Sequence, residues 1–158
     1  MKLYLKQKVF SFGDKFTLYD EAGSERYFVQ GEVFSFGKKL HILDLAGREL
    51  AMIRQHIWTF LPRYSIDIGG AEVAQVVKKF TFFRNEYVIE GLGWTVHGDM
   101  FDHDYEIWQG DQVIATVCKA WFSWGDAYEI DISPNAHLIT ALAVVLVIDA
   151  CLEAQDNN

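Results

Sequence analysis

The chain has 158 residues, of which 51% are hydrophobic and 15% are aromatic. This composition excludes an intrinsically disordered chain and fits one domain, residues 1–158, with a sizeable core. The formal charge of −8 at pH 7 argues against nucleic acid as a partner and against simple electrostatic adhesion to anionic membranes.

The chain begins with lysines that alternate with apolar residues, and no long apolar segment follows them. We therefore expect no signal peptide and a cytoplasmic location. The two cysteines, Cys118 in a strand-like run and Cys151 near the C-terminus, are expected to be buried thiols. A disulfide between them stays open as an alternative, whereas a metal site would need more ligands.

Short apolar runs, separated by glycines and by Asp/Asn clusters, predict strands over most of the chain. In the run Arg63–Ile68, Tyr64, Ile66 and Ile68 alternate with polar residues that form the other face. Burial of one face is typical of an antiparallel sheet. The predicted strands are Tyr4–Gln7, Lys15–Asp20, Arg26–Gly31, Lys39–Asp44, Glu49–Gln55, Arg63–Ile68, Ala71–Lys78, Asn85–Ile89, Gly93–Asp99, Asp104–Trp108, Gln112–Lys119 and Ala127–Ile132.

The sequence contains an internal repeat. Three segments of the first half resemble three of the second half in the same order: Asp14–Leu18 and Asn85–Ile89, Val29–Phe34 and Val96–Phe101, Tyr64–Ile68 and Tyr128–Ile132. The repeat indicates two halves of about six strands each. Two such sheets can close into one barrel, which removes exposed strand edges.

Gly31 and Gly98 occupy equivalent places in this repeat. We expect them to share the inward face, where they would let the sheet approach a central helix closely. The alternative is that each glycine marks a bulge or a bend.

An acidic segment follows Gly98, with Asp99, Asp102 and Asp104 at short spacing. Oxygen ligands of this kind could hold a divalent cation. The segment lacks the spacing of an EF-hand loop, and it falls where a hairpin turn is expected. We therefore interpret it as a solvated turn and keep a metal site as the weaker alternative.

Two aromatic groups, Trp58-Thr59-Phe60 and Trp121-Phe122-Ser123-Trp124, lie at matching points of the repeat. We expect them to close the ends of the barrel as part of the core. If they are exposed on one rim instead, they form an apolar patch for a partner or a lipid surface.

The C-terminal segment from about Ala136 to Ala154 is predicted to be a helix. Only Thr140 is polar between Leu138 and Ile148, and a helix that is apolar on every side must be buried on every side. A membrane anchor is the weaker alternative, because this apolar run is shorter than the roughly 20 residues of a spanning helix and its flanks are acidic. We expect a mainly β protein: a closed, antiparallel barrel of about twelve strands around this buried helix.

No constellation in the chain indicates catalysis or a cofactor. None of the five histidines stands in a His-Glu-x-x-His pair, and Gly-x-Ser-x-Gly and phosphate-binding Gly-Lys loops are absent. We therefore expect a protein that is not an enzyme and needs no cofactor.

The chain resembles the LURP-one-related family, whose relatives include the tubby C-terminal domain and the phospholipid scramblases. The resemblance rests on Val29–Phe34, on Leu40–Ala51 and on Ile130–Pro134 leading into Leu142–Asp149. It implies a barrel wrapped around a central C-terminal helix. Bacterial members are small single-domain proteins without a settled activity, so it implies architecture more than chemistry.

Tubby-like relatives bind phosphoinositides through basic residues on the barrel surface. The corresponding candidates for an anionic ligand here are Lys38, Lys39, Lys78, Lys79 and Arg84. Isolated pairs in an acidic chain fit better with solvated lysines that protect a sheet edge.

Three functions follow from these features. The first is a cytosolic binding or scaffold domain that uses its outer surface or rim to bind a partner protein. The second is peripheral association with phospholipids or phosphoinositides, without a transmembrane span. The third, a carrier of small ligands, is the least favoured of the binding functions, because a barrel filled by its own helix leaves little cavity.

Overall fold

A computed structural model describes residues 1–6, 15–32, 36–80, 85–122 and 125–156. It contains twelve strands followed by one helix, as predicted. The strands are β1 (Lys2–Lys6), β2 (Lys15–Tyr19), β3 (Glu25–Gly31), β4 (Lys39–Leu43), β5 (Glu49–Gln55), β6 (Arg63–Ile68), β7 (Ala71–Phe80), β8 (Asn85–Glu90), β9 (Trp94–Asp99), β10 (Asp104–Gln109), β11 (Gln112–Phe122) and β12 (Gly125–Ile132). The helix is α1 (Leu138–Asp156).

The strands form a closed antiparallel barrel in which each strand pairs with its neighbours in sequence. β1 closes it by pairing with both β2 and β12, with Leu3 opposite Ile130. The repeated segments fall on strands six apart, β2 and β8, β3 and β9, β6 and β12. The barrel and its twofold repeat are therefore confirmed.

α1 lies inside this barrel. Leu142, Val144, Leu146, Val147 and Ile148 are all 0% exposed, so no side of the helix faces water over these two turns. β-branched residues are poor helix formers. Burial stabilises this helix instead, by roughly 1.5–3 kcal/mol for each large side chain. Within the described part of the chain, no helix combines the length and the apolar character needed to cross a lipid bilayer.

The helix begins two residues later than predicted. The His137 carbonyl accepts the first intrahelical hydrogen bond from Ala141, at 3.0 Å. The His137 ring nitrogen Nδ1 accepts one from the Thr140 hydroxyl at 2.8 Å. His137 is exposed and caps the helix, whereas Ser133 forms the turn before it by accepting a hydrogen bond from Ala136 at 3.0 Å.

Around the middle of α1, the described residues leave little free volume. A narrow space between α1 and the strands, beside Val145 and Leu146, measures about 10 Å³, which is room for about one water molecule. Tight filling of this kind makes the core sensitive to changes in side-chain volume.

The prediction that Gly98 lets the sheet approach the central helix closely is wrong. A Cβ atom at this position would lie 2.6 Å from the carbonyl oxygen of Asp104 and 2.7 Å from the Cα of Tyr105. The close approach is therefore to the adjacent strand β10 and not to α1. Its φ of 120° lies in a region that is nearly restricted to glycine.

The expectation of two buried thiols holds for one cysteine only. Cys151 on α1 is 4% exposed, whereas Cys118 lies exposed on the outer side of β11, and neither forms a disulfide. Alternation along β11 explains the difference, since Ala115 and Val117 take the inward positions.

His41 joins three strands on the outer face of the barrel. Its ring lies 2.6 Å from a carboxylate oxygen of Glu49 on β5 and 2.8 Å from one of Glu32 beside β3. Partial burial lowers the pKa of His41, but the hydrogen bonds to Glu49 and Glu32 outweigh it and raise the pKa above 6.5. The hydrogen bond to His41 in turn lowers the pKa of Glu32.

Because of these pKa shifts, the contribution of His41 to the free energy of unfolding depends on pH. The raised pKa means that the folded state holds the His41 proton more tightly, so its stabilisation is complete below about pH 6.5 and is lost as the pH rises through the folded value. The variant His41→Gln should therefore be less stable than the wild type at pH 6, by about 0.5 kcal/mol because the site is partly solvent-screened, and nearly as stable at pH 9. Urea denaturation at the two pH values measures the difference.

The matched control is His97→Gln on β9. His97 is exposed and contacts the Thr95 hydroxyl at 3.0 Å rather than a carboxylate. A loss of stability in His41→Gln that is equal at both pH values would contradict the assigned ion pairs.

Candidate functional site

The two ends of the barrel differ. α1 begins at one end, near Ser133, whose N–H donates to the carbonyl of Ile114 at 2.9 Å. It ends at the other, where Glu153 pairs with Lys38 at 3.2 Å. We call the second end the C-terminal rim; its described turns are residues 36–38, 56–62 and 100–103.

A cluster of exposed apolar side chains lies on the C-terminal rim. Trp58 is 93% exposed, Phe60 is 100% exposed and Phe36 is 91% exposed, while Ile57 beside them is 42% exposed. We call these four residues the rim cluster. Clustered aromatic side chains in contact with water make this rim a candidate interaction surface.

The turns that carry the rim cluster are held in place. The carbonyl of Lys38 accepts a hydrogen bond from Gln55 at 2.8 Å, and His56 donates to the carbonyl of Arg63 at 2.9 Å. A Cβ atom on Gly37, whose φ is 80°, would lie 2.6 Å from Ile57. Gly37 therefore lets the turn that carries Phe36 pack against the turn that carries Trp58.

The prediction that Trp58 and Phe60 close the barrel as core is wrong. The end of α1 occupies the inner volume at this rim, with Cys151 and Leu152 both 4% exposed, so the loop between β5 and β6 has no interior to fill. The side chains of Trp121 and Phe122, together with residues 123–124, lie outside the part of the chain that the structure describes.

An open depression of about 430 Å³ adjoins the rim cluster. Apolar and polar side chains share its wall: Arg54, Gln55, His56, Ile57, Trp58 and Thr59. Its open, shallow form suits contact with a surface better than enclosure of a small molecule.

A polar network supports this wall on the outer face of β5 and β6. Arg54 donates to both carboxylate oxygens of Asp67, at 2.6 and 3.3 Å. His56 lies 2.6 Å from the hydroxyl of Ser65, which donates to Glu72 at 2.7 Å. Ser65 is 0% exposed and Asp67 is 9% exposed, so the polar face of β6 is covered by its own partners rather than solvated.

The Ser65–His56 contact has the wrong geometry for a nucleophile. The single hydroxyl proton of Ser65 goes to Glu72, so His56 acts as the donor in its own contact with that oxygen. A catalytic histidine would instead accept this proton, and the hydroxyl would face a substrate. The hydrogen bond from Ser65 lowers the pKa of Glu72, and the carboxylate stays ionised as an acceptor.

The structure places the described members of the predicted basic group in different surroundings. Lys38 pairs with Glu153 at 3.2 Å, and Lys39 with Glu32 at 3.7 Å. Lys79 is exposed, but Lys78 is only 8% exposed and lies inside the barrel. The edge-protecting role is wrong, because a closed barrel has no edge to protect; Arg84 lies outside the described residues.

The acidic segment forms the expected turn between β9 and β10. The Asp99 carboxylate accepts a hydrogen bond from the backbone of Asp102 at 3.2 Å, and Asp102 pairs with Lys119 at 3.6 Å. Asp104 is exposed at the start of β10. In the described ranges, no three His, Cys, Asp or Glu side chains converge to hold a metal ion.

Sequence reasoning missed the contact that joins this turn to the core. His103, at a φ of 52°, lies 3.1 Å from Asp149 of α1 and stacks on Tyr128 with ring centroids 4.1 Å apart. Asp149, which interrupts the apolar helix, was the available signal, since a charge inside a barrel needs a partner.

Comparisons with known proteins agree with this architecture. A family model described as LURP-one-related matches residues 1–149. The uncharacterized protein YxjI of Bacillus subtilis (strain 168) is 39% identical over 152 residues, which is 96% of this chain and 94% of that protein. The X-ray structure of the Arabidopsis thaliana protein AT5G01750 covers 95% of this chain and 90% of its own, with a TM-score of 0.66 and 15% identity, a similarity of fold.

Proposed function

This chain belongs to the LURP-one-related family, and we propose that it is a non-enzymatic domain that binds a partner through the rim cluster. The observation that supports this proposal is the near-complete exposure of Trp58, Phe60 and Phe36 on one rim. Water contact with such side chains is unfavourable by roughly 1.5–3 kcal/mol each. A partner that covers them recovers this free energy.

The polar network beside the rim cluster supports a binding role over a catalytic one. The Ser65 hydroxyl has both His56 and Glu72 as hydrogen-bond partners within the network, and Ser65 is fully buried. Such a network fixes the shape of a surface. The two free cysteines fit the reducing cytoplasm, where we place the protein.

Of the two kinds of partner expected, the surface of a phospholipid membrane is favoured. Tryptophan prefers the interface between head groups and acyl chains, and Trp58 projects from the rim at 93% exposure. Lys79 is exposed at the same end, whereas Lys38 and Lys39 there are paired with Glu153 and Glu32. A scaffold that binds a partner protein is the second candidate.

Vesicle flotation tests the lipid partner. Wild-type protein should float with vesicles of phosphatidylcholine and phosphatidylserine, and the double variant Trp58→Ser, Phe60→Ser should lose at least about tenfold of this binding. Both residues are exposed, so the melting temperature should change by no more than about 2 °C. Leu45→Ser, which removes a 55% exposed side chain at the opposite end, is the control and should float like the wild type.

Two outcomes separate the candidates. If the wild type does not float with any anionic vesicle, the lipid partner is eliminated. A photo-crosslinking amino acid placed at position 58 or 60 in living cells then tests the protein partner, with position 45 as control. Absence of any crosslink specific to the rim would overturn the binding role of the rim cluster itself.

A further inference from the structure

Phe101 places an exposed aromatic side chain on the far side of the C-terminal rim. It lies in the turn between β9 and β10 and is 59% exposed. In the closed ring of twelve strands, this turn is halfway around from the turn between β3 and β4, which carries Phe36. Strands about 4.8 Å apart and tilted by about 40° make such a ring roughly 20–25 Å across. Apolar side chains therefore lie on both sides of one barrel end.

The end of α1 lies between these two sides. Cys151 and Leu152 are both 4% exposed there, so the helix occupies the middle of the barrel end. A partner that covers Phe36, Trp58 and Phe101 together must therefore be broad and extend across the whole rim. A bilayer surface meets this requirement, because it is flat and continuous over such a distance.

The cationic side chains around the C-terminal rim are directed to partners on the barrel. The ion pairs, at 3.1–3.7 Å, are Lys38 with Glu153, Lys39 with Glu32, Lys119 with Asp102, and Arg63 with Glu90. Lys6 and Lys15 lie over aromatic rings of the barrel wall, 5.4 and 3.9 Å from the ring centroids. Lys79 lies opposite Glu86 in the register of β7 and β8. The described part of this rim therefore offers little uncompensated positive charge to an anionic surface.

Negative charge is present on the Phe101 side of the rim. Asp99 and Asp104 are paired in the register of β9 and β10, and both are exposed. The whole chain carries a formal charge of −8. Anionic head groups repel such a protein, over about 30 Å at about 10 mM salt but over only about 8 Å at about 150 mM.

Given the membrane binding proposed above, on which this inference rests, we propose that the rim cluster binds a zwitterionic phospholipid surface such as phosphatidylcholine. The barrel contacts this surface end-on, with Phe101 as a further contact across from Phe36. Zwitterionic head groups carry no net charge, so electrostatic repulsion does not oppose burial of the aromatic side chains. Apolar contact and the preference of tryptophan for the head-group interface supply the affinity.

Flotation with two kinds of vesicle at two salt concentrations tests the choice of head group. The wild type should bind phosphatidylcholine vesicles equally, within about twofold, at about 10 mM and about 150 mM sodium chloride. With about one-fifth phosphatidylserine, it should bind at the higher salt concentration and at least about threefold more weakly at the lower one. Attraction by lysines would give the opposite salt dependence, with the tighter binding at low salt.

Phe101→Ser tests the end-on contact. It should reduce binding to phosphatidylcholine vesicles by about five- to tenfold, whereas Phe101→Trp should bind at least as well as the wild type. Leu45→Ser is the matched control, because Leu45 is 55% exposed at the opposite end of the barrel. It should bind like the wild type. All three variants should melt within about 4 °C of the wild type.

Lys79→Gln separates charge from apolar contact. Lys79 is exposed at this rim, and a lysine that touches anionic head groups contributes about fivefold in binding. Under the end-on apolar contact, Lys79→Gln should change binding to either kind of vesicle by less than about twofold. A loss confined to vesicles with phosphatidylserine would instead assign the affinity to charge.

Two outcomes contradict this inference and leave a lipid role of the rim cluster intact. Binding that requires phosphatidylserine and weakens as the salt concentration rises would overturn the preference for zwitterionic lipid. Binding of Phe101→Ser to phosphatidylcholine at the wild-type level would overturn the end-on contact. If the wild type floats with neither kind of vesicle, the lipid partner of the rim cluster is itself eliminated.

Discussion

Replacing Gly98 with valine should lower the free energy of unfolding by about 3–5 kcal/mol and the melting temperature by roughly 10 °C. Two effects add. The new Cβ would lie 2.6 and 2.7 Å from backbone atoms of Asp104 and Tyr105, which cannot move without disturbing the pairing of β9 with β10. In addition, a φ of 120° is strongly unfavourable for a β-branched residue.

A second glycine separates these two effects. Gly93, with a φ of 65°, has open space around the Cβ position, so Gly93→Val adds backbone strain without a steric overlap. It should cost about 1–2 kcal/mol, measured by the same thermal and urea unfolding. Equal losses for Gly93→Val and Gly98→Val would contradict the close approach of β9 and β10.

Leu146→Ala should lower the free energy of unfolding by about 3 kcal/mol, within the range of roughly 2–5 kcal/mol seen for buried leucines. Leu146 is 0% exposed at the centre of α1. Strands surround it on all sides, so the cavity cannot collapse by movement of a loop. Urea unfolding at constant pH measures the loss.

Leu45→Ala removes the same atoms from a leucine that is 55% exposed in the turn between β4 and β5. Its effect should stay within about 0.5 kcal/mol. If Leu146→Ala were as mild as Leu45→Ala, the helix would not be the core of the barrel.

Most of the architecture follows from local pattern. The period of two in runs such as Arg63–Ile68 predicts strands because alternate side chains face opposite sides of a sheet. The all-round apolar character of α1 predicts its burial, since no other environment in a barrel accepts such a helix. β7 and β11 extend beyond their predicted ends, to Phe80 and Phe122, because pairing with neighbouring strands continues where the sequence pattern becomes ambiguous.

The candidate site was harder to predict, for a physical reason. Whether an aromatic residue in a turn is covered depends on what fills the barrel end, and the sequence near Trp58 does not contain that information. The same holds for Lys78, because its charge predicts a surface position beside Lys79. Its place in the alternation with Ala74 and Val76 indicates the less exposed position instead.

The order of the chain has a consequence for synthesis. All twelve strands precede the helix that they enclose, so the ribosome synthesises the strands of the barrel before the helix that packs inside it. Until α1 emerges, the inward faces of twelve strands have nothing apolar to contact except one another. The strands made first therefore expose apolar faces until α1 has been synthesised, and such transient exposure of apolar surface favours aggregation.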